Sequence, residues 1–289
     1  MPFPRAREPL KLRVQRGRTA SRLLQAASLA GIALLLAVAP RGEDKPLAAL
    51  LARPPPHIIV SEVARLVFCP VPKAASSNWK YLIRRWERVP DFANLSRAHR
   101  PATSGLRYLA DYAPAEAEAI LRDPTYFRFV FVREPYARLL SCYMDKFRNT
   151  DPEYVRAEYR TFLAALKGWT FARDVDVERD PRLTFAHFVQ AVADMPVQDM
   201  NAHWMPQTAY CAIGVLPYDF VGRMENLKQD VDYVFRRLGR VGNRFPTQNQ
   251  IGFPPSGASP TLADELYDND LRAKVRAIYE PDFRILRYT

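Results

Sequence analysis

The sequence predicts an α/β fold of three layers, a central parallel sheet flanked by helices. Two stretches carry that prediction, one from Val67 to Trp79 and one from Phe129 to Ser141. Each reads as a strand entering a turn and then a helix, with cationic and hydroxyl groups at the junction. A third, Phe220-Val221-Gly222 ahead of a helical stretch at 225–238, repeats the pattern. Strands alternating with helices argue for parallel pairing with both faces covered.

Taken in order, residues 1–22 hold seven Lys/Arg against the single acid Glu8, which leaves +5 of the net +11 for the rest. An apolar run of 17 residues, 23–39, follows, broken by Gln25 and Ser28. That length is at the lower limit for a membrane-spanning helix. A cleaved signal peptide is the rival reading, since Ala37-Val38-Ala39 has the small-x-small form. Pro40 immediately after the cut favours a retained anchor. The basic tail then stays cytosolic and the remainder lies beyond the membrane. Residues 40–57, with Pro54, Pro55 and Pro56 in succession, read as a stem, and 58–289 as the folded domain. The chain's length and its overall 48% hydrophobic content suffice for one well-buried core.

In the first junction, Trp79, Leu82, Ile83 and Trp86 fall at i, i+3, i+4 and i+7, an apolar helix stripe. The stretch before it is P-loop-like but lacks glycine, and Lys73 precedes the hydroxyls of Ser76 and Ser77. A nucleotide-triphosphatase loop places Lys-Ser/Thr after two glycines. A helix N-terminus with its unpaired N–H groups suits one phosphate-like group. The bland alternative is an ordinary capped helix with Lys73 in solvent.

In the second, residues 127–132 form a hydrophobic, β-branched and aromatic run of strand length. Arg133 closes it, suited to forked binding of phosphate. Pro135 fits a first helical turn, and Ser141 lies two turns in. Here the alternative is a surface ion pair for Arg133. Two such junctions suggest a ligand with two separated anionic groups. Beyond them, residues 105–123 read as helical, and 150–182 as a variable insert. Helices are expected at 183–193, with Thr184 near its cap, and at 268–279.

Of three cysteines, Cys69 and Cys142 could be small buried hydrophobes, and with Cys211 at most one internal disulfide is possible. No Cys-x-x-Cys exists and the four His are scattered, so no zinc or other metal site is expected. Asn94-Leu95-Ser96 is a glycosylation sequon, meaningful if the domain is lumenal. Nucleic-acid binding would need a basic helix or an aromatic-studded sheet, and neither is present.

Together the motifs resemble those of sulfotransferases that use 3′-phosphoadenosine 5′-phosphosulfate (PAPS). The resemblance is to the Golgi carbohydrate sulfotransferases that include the chondroitin and dermatan 4-O-sulfotransferases. It implies that Pro72, Lys73, Ala74, Ala75, Ser76, Ser77 and Asn78 grip the 5′-phosphosulfate, and that Arg133 and Ser141 grip the 3′-phosphate. His203-Trp204-Met205-Pro206-Gln207 with Cys211, the stretch from Tyr218 to Glu225, and Tyr279-Glu280-Pro281-Asp282-Phe283 extend it over roughly residues 60 to 288. Glu134 stands where Asp is more usual. The implied chemistry moves a sulfuryl group in line from PAPS to a hydroxyl of a glycan or glycosaminoglycan. Lys73 is expected to steady the leaving oxygen and His203 to act as general base. Glu225 and Asp219 are the carboxylate alternatives; His57 reads as linker, His99 as loop, His187 as structural. The expected setting is a single-pass type II Golgi membrane protein with a lumenal domain and no nucleic-acid partner. A nucleotide kinase or hydrolase, and an inactive membrane-anchored binding protein of this fold, stay as alternatives.

Overall fold

The computed structural model describes residues 44–148, 184–253 and 255–289. The basic tail, the 23–39 apolar run and the 150–182 insert lie outside the described residues.

In chain order the described elements are α1 (Asp44–Leu51), β1 (Ile59–Ser61), β2 (Leu66–Cys69), α2 (Ser76–Trp86), β3 (Arg107–Tyr108), α3 (Pro114–Arg122), β4 (Phe127–Val132) and α4 (Pro135–Phe147). They continue with α5 (Phe185–Ala193), β5 (Phe220–Arg223), α6 (Leu227–Arg237), α7 (Pro260–Leu266), α8 (Asn269–Ile278) and α9 (Glu280–Leu286). Four-residue helical turns occur at Leu95–Ala98 and Gln207–Tyr210.

The five strands form one sheet in the order β3-β1-β2-β4-β5. β2, β4 and β5 are parallel, with Phe68 opposite Phe129 and Phe129 opposite Phe220. The expected parallel sheet is therefore only its central and one outer part. β1 runs antiparallel to both β2 and β3. The connection from Ser61 to Leu66 is a short hairpin, whereas a parallel return needs a crossover of a dozen or more residues.

Strand side chains alternate between the two faces, as the pleat demands. Val60, Val67, Cys69, Val130 and Val132 join one core, with residues of α3, α4, α5, α8 and α9. Ile59, Leu66, Phe68, Phe127, Phe129 and Phe131 join the other, with Trp79, Leu82, Ile83 and Trp86 of α2 and Val231, Val234 and Phe235 of α6. Trp79 lies edge-on to Phe129 at 5.0 Å between ring centres. A Cβ on Gly222 would meet the Phe131 ring at 2.7 Å, so this strand position excludes any side chain.

Three expectations change. Residues 105–123 are not one helix. Arg107–Tyr108 pairs with β1 at the sheet edge, and α3 starts only at Pro114. Gly105, at φ 67, turns the chain into that edge. The last helix is capped by Asp268, whose side chain accepts from Leu271 N–H at 2.7 Å. It is followed by a second, α9, which Pro281 opens within its first turn. Within the stretch read as a stem, α1 packs on the core, with Leu51 buried and Leu47 and Leu50 against it.

Candidate active site

Parallel α/β sheets gather ligand sites at the carboxyl ends of their strands. Here those ends are followed by residues 70–75 after β2, Arg133 and Glu134 after β4, and residues 224–226 after β5.

The 70–75 loop is tightly wound. Lys73 and Ala75 both have left-handed backbones, φ 68 and 59, without being glycine. Each such position costs about 1–3 kcal/mol and persists only where the surroundings enforce it. Ala75 is the N-cap of α2 and supplies no side-chain cap. Trp79 donates the first bond of the helix, to Ala75 O at 3.1 Å. The N–H groups of Ser76, Ser77 and Asn78 are thus the uncapped start of α2, partially positive and facing the loop. Asn78 commits its side chain elsewhere, donating to Pro246 O at 2.8 Å. Ser77 Oγ lies 3.2 Å from His99 Nε2.

Lys73 pairs with Asp145 of α4 at 3.2 Å, and Asp145 also meets Lys146 at 3.1 Å. Burial lowers the affinity of the Lys73 ammonium for its proton, and Asp145 opposes that. Asp145 thus serves two lysines at this end of the sheet.

The second junction differs from the first in how its helix starts. The Glu134 side chain accepts from Tyr136 N–H at 3.0 Å and Ala137 N–H at 2.7 Å. This N-terminus is therefore already capped by a carboxylate, contrary to the expectation of unpaired N–H groups. What remains for an anion is the Arg133 guanidinium. Burial lowers the affinity of that group for its proton, and Glu225 and Glu134 oppose the effect. Arg133 reaches Lys73 O at 3.4 Å, so the two junctions touch. The Arg133 backbone is held on both sides by one amide. Its N–H donates to Gln207 Oε1 and its carbonyl accepts from Gln207 Nε2, both at 2.8 Å. Ser141 is buried, its hydroxyl 2.9 Å from that of Ser256.

Gln207 is fixed in turn by Asp282, which is fully buried. The carboxylate accepts from Gln207 N–H and Thr208 N–H at 2.8 Å each, Thr208 Oγ1 at 2.7 Å and Gln207 Nε2 at 3.2 Å. No cation neutralises Asp282 among the described residues; four donors at the start of a helical turn do so instead.

His203 lies in the turn before Gln207. Its backbone N–H and its Nδ1 both meet Asn201 Oδ1, at 3.0 and 2.7 Å. An amide oxygen carries no hydrogen and can only accept, so the ring proton is on Nδ1 and Nε2 is the basic nitrogen. Burial, then Lys146, Lys73 and Arg138, hold this imidazole well below its ordinary 6.5. His203 and Lys73 therefore share one cationic neighbourhood.

Arg138 joins the two loops. It is 1% exposed and donates to Pro72 O at 3.1 Å, Met205 O at 2.8 Å and Ala202 O at 3.0 Å. A disulfide between Cys69 and Cys211, 142 residues apart, ties the exit of β2 to the end of the Gln207–Tyr210 turn. Cys69 is thus a cross-link, not a free buried hydrophobe. Cys142 is the free thiol among the described residues, pushed up to about 12 by burial.

Of the carboxylate alternatives, Asp219 is remote. It accepts from Arg128 N–H at 2.8 Å and pairs with the Arg128 guanidinium at 2.7 Å, near the opposite ends of the strands. Glu225 is on the Arg133 side, accepting from Glu134 N–H at 2.8 Å and Tyr288 at 3.2 Å. His57 is packed into the domain, stacked on Tyr210 at 3.8 Å. His187 is exposed at the start of α5, beside the cap Thr184.

The profile of the Sulfotransferase family matches residues 56–289. The chain belongs to that family. Carbohydrate sulfotransferase 14 of Homo sapiens is 37% identical over 209 residues, 70% of this chain and 52% of that protein. The Danio rerio protein of the same name is 34% identical over 201 residues, 69% of this chain and 53% of the relative. Carbohydrate sulfotransferase 11 of Rattus norvegicus is 26% identical over 243 residues, 81% and 67% respectively. The chain thus spans about half the length of the first two relatives. No solved structure matches.

Within this sulfotransferase-family domain, several site residues escaped sequence reasoning. Arg138 and Asp145 share a helix face with Ser141 and Cys142 at spacings of three and four. That polar stripe on an otherwise apolar helix was the available signal. The partnership of Gln207 with Asp282 crosses 75 residues and carries no local signature.

Proposed function

We propose that the chain transfers a sulfuryl group from PAPS to a hydroxyl of a carbohydrate, a glycan or glycosaminoglycan. The observation that carries this reading is the contact between the Lys73 loop, with its uncapped helix start, and Arg133 at the neighbouring strand end. Two anion-binding groups side by side suit a donor with a phosphosulfate at one end and a phosphate at the other. The loop residues Pro72 to Asn78 fit the 5′-phosphosulfate. Arg133, with Ser141, fits the 3′-phosphate.

His203 Nε2 takes the acceptor hydroxyl proton as the new S–O bond forms. Lys73 meets the charge that grows on the phosphate oxygen as the old S–O bond breaks. Arg138 keeps base and cation at fixed separation. A nucleotide kinase reading lacks support, because the loop has neither the glycines nor the Lys-Ser/Thr order.

The test is transfer of labelled sulfate from PAPS to a panel of glycans. Lys73→Ala is expected to lower turnover by about 100-fold at saturating donor, as for loss of one oxyanion donor. Undiminished turnover would remove Lys73 from the chemistry, and no transfer to any glycan would sink the reading.

We also propose that residues 23–39 are a retained type II anchor placing the domain in the Golgi lumen. The Cys69–Cys211 bond supports an oxidising compartment. Asn94 of the sequon is exposed and available to glycosylation. Recovery of the chain in alkaline-washed membranes, with residues before Pro40 intact, is expected. A mature start at Pro40 overturns it.

A further inference from the structure

Among the described residues the Lys73 ammonium has one hydrogen-bond or ion-pair partner, the Asp145 carboxylate at 3.2 Å. Only 16% of the lysine side chain and 20% of the aspartate's are exposed, so this is not the weak, mobile pairing of a surface. Backbone geometry fixes both partners. The left-handed residue at Lys73 commits its loop to one path. On α4, Asp145 follows Ser141 by four residues and Arg138 by seven, spacings that share one helix face. That face meets the loop twice, with Arg138 at the Pro72 carbonyl and Asp145 at the Lys73 ammonium. Arg138 holds the backbone, and Asp145 directs the side chain.

Charge gives the contact a second consequence. The same Asp145 oxygen also meets Lys146, at 3.1 Å. Burial raises the Asp145 carboxyl, yet Lys73 and Lys146 together hold it below its ordinary range, so it stays ionised. Burial drives Lys73 toward loss of its proton, and Asp145 is the main influence opposing that. A phosphate oxygen on the same ammonium would lie within about 6 Å of this carboxylate, where like charges repel. Asp145 therefore steers the ammonium that a donor needs and opposes the anion that the ammonium attracts. Without it, a largely buried ammonium has no counter-charge among the described residues, and a bound phosphate supplies the missing one.

We propose that Asp145 is a positioning residue for Lys73, setting the direction of its ammonium toward the leaving oxygen while holding down the affinity for the spent nucleotide. This rests on the sulfotransferase reading above. Asp145 needs to touch neither donor nor acceptor, since it acts through the lysine. The two effects separate in measurement: loss of the carboxylate tightens product binding and slows turnover, whereas general damage to the site weakens both.

The experiment uses the full chain, wild type against Asp145→Asn, Asp145→Ala, Lys73→Met and the Asp145→Asn, Lys73→Met double variant, each first shown folded by thermal unfolding. Calorimetry with adenosine 3′,5′-bisphosphate gives affinity, and labelled sulfate transfer at saturating PAPS gives turnover. Both Asp145 variants are expected to bind the bisphosphate about 5-fold tighter and to turn over about 10-fold more slowly, the size of a direct pairwise coupling. With Lys73→Met already present, Asp145→Asn is expected to change either quantity less than about 2-fold. Weaker binding alongside slower turnover overturns the proposal, as does an unchanged turnover. Effects of the same size in the Lys73→Met background route Asp145 through Lys146 or the fold and overturn it too. If no glycan accepts sulfate, the transferase reading falls, while the bisphosphate titrations in the two backgrounds still decide whether Asp145 acts through Lys73.

Discussion

Replacing Asp282 by Asn tests the support beneath Arg133. The carboxylate accepts four hydrogen bonds, two on each oxygen, and is fully buried. An Asn of the same shape keeps one acceptor oxygen and turns the other into an NH2. If the oxygen stays on Thr208, the NH2 confronts Gln207 N–H and Nε2–H, donor against donor. Two bonds to a charged acceptor are lost at about 1.5–3 kcal/mol each. Some relaxation follows, so we expect a net cost of about 3–4 kcal/mol. For a domain of this size each kcal/mol moves the midpoint by about 2–4 °C, giving a fall of about 6–16 °C. The displaced Gln207 amide also releases both backbone bonds to Arg133. Bisphosphate affinity is therefore expected to drop with stability, by about 10-fold at a temperature where the variant is folded. Thermal unfolding by circular dichroism and calorimetric titration read the two effects. A midpoint within about 2 °C of wild type, with unchanged affinity, would refute the relay from Asp282 through Gln207 to Arg133.

Arg133→Ala is expected to weaken adenosine 3′,5′-bisphosphate by about 30-fold or more, the cost of a partly buried charge-assisted contact. An analogue lacking the 3′-phosphate should lose far less, and equal losses would remove Arg133 from that phosphate. His203→Ala should lower turnover by about 100- to 10,000-fold while bisphosphate binding stays nearly intact. Because the imidazole is depressed well below 6.5, the acid limb of kcat/KM in wild type should lie below that pH and vanish in the variant. The same depression links to stability. An unfolded His203 binds a proton near 6.5 while the folded one does not, so folding weakens as pH falls below 6.5 toward the folded value. His57, pushed to about 4, acts in the same direction between about 6.5 and 4. A stability profile flat from pH 7 to 5 would contradict both. Cys211→Ser opens a closure of 142 residues and should cost about 2–5 kcal/mol, read as a lower denaturation midpoint that reductant no longer shifts.

The parallel part of the fold was legible because β2, β4 and β5 each end in a helix and carry strand-length apolar runs. Residues 127–132 were delimited to the residue, and Thr184 was foreseen near its cap. β3 was not legible. Two residues paired at an edge leave no periodicity, and an alanine-rich stretch nearby drew the helix reading over it. The start of α2 showed as a phosphate-type junction, but its left-handed Lys73 and Ala75 did not, since both residue types ordinarily avoid that region. The Glu134 cap overturned the symmetry between the two junctions: Glu before Pro at a helix start was read as part of a binding motif, when it also satisfies the helix itself. Long-range partners such as Cys69 with Cys211 needed the folded chain.

Arg138 reads only carbonyl oxygens, at Pro72, Ala202 and Met205. Every amino acid offers one, so this bracket is indifferent to the side chains at all three positions. Substitutions at Ala202 and Met205 that keep the backbone path therefore leave this bracket in place, whereas Asn201, which holds His203, and the buried Trp204 are constrained by their own side chains. A designer grafting a foreign segment there needs to keep its length and backbone path, with Arg138 untouched.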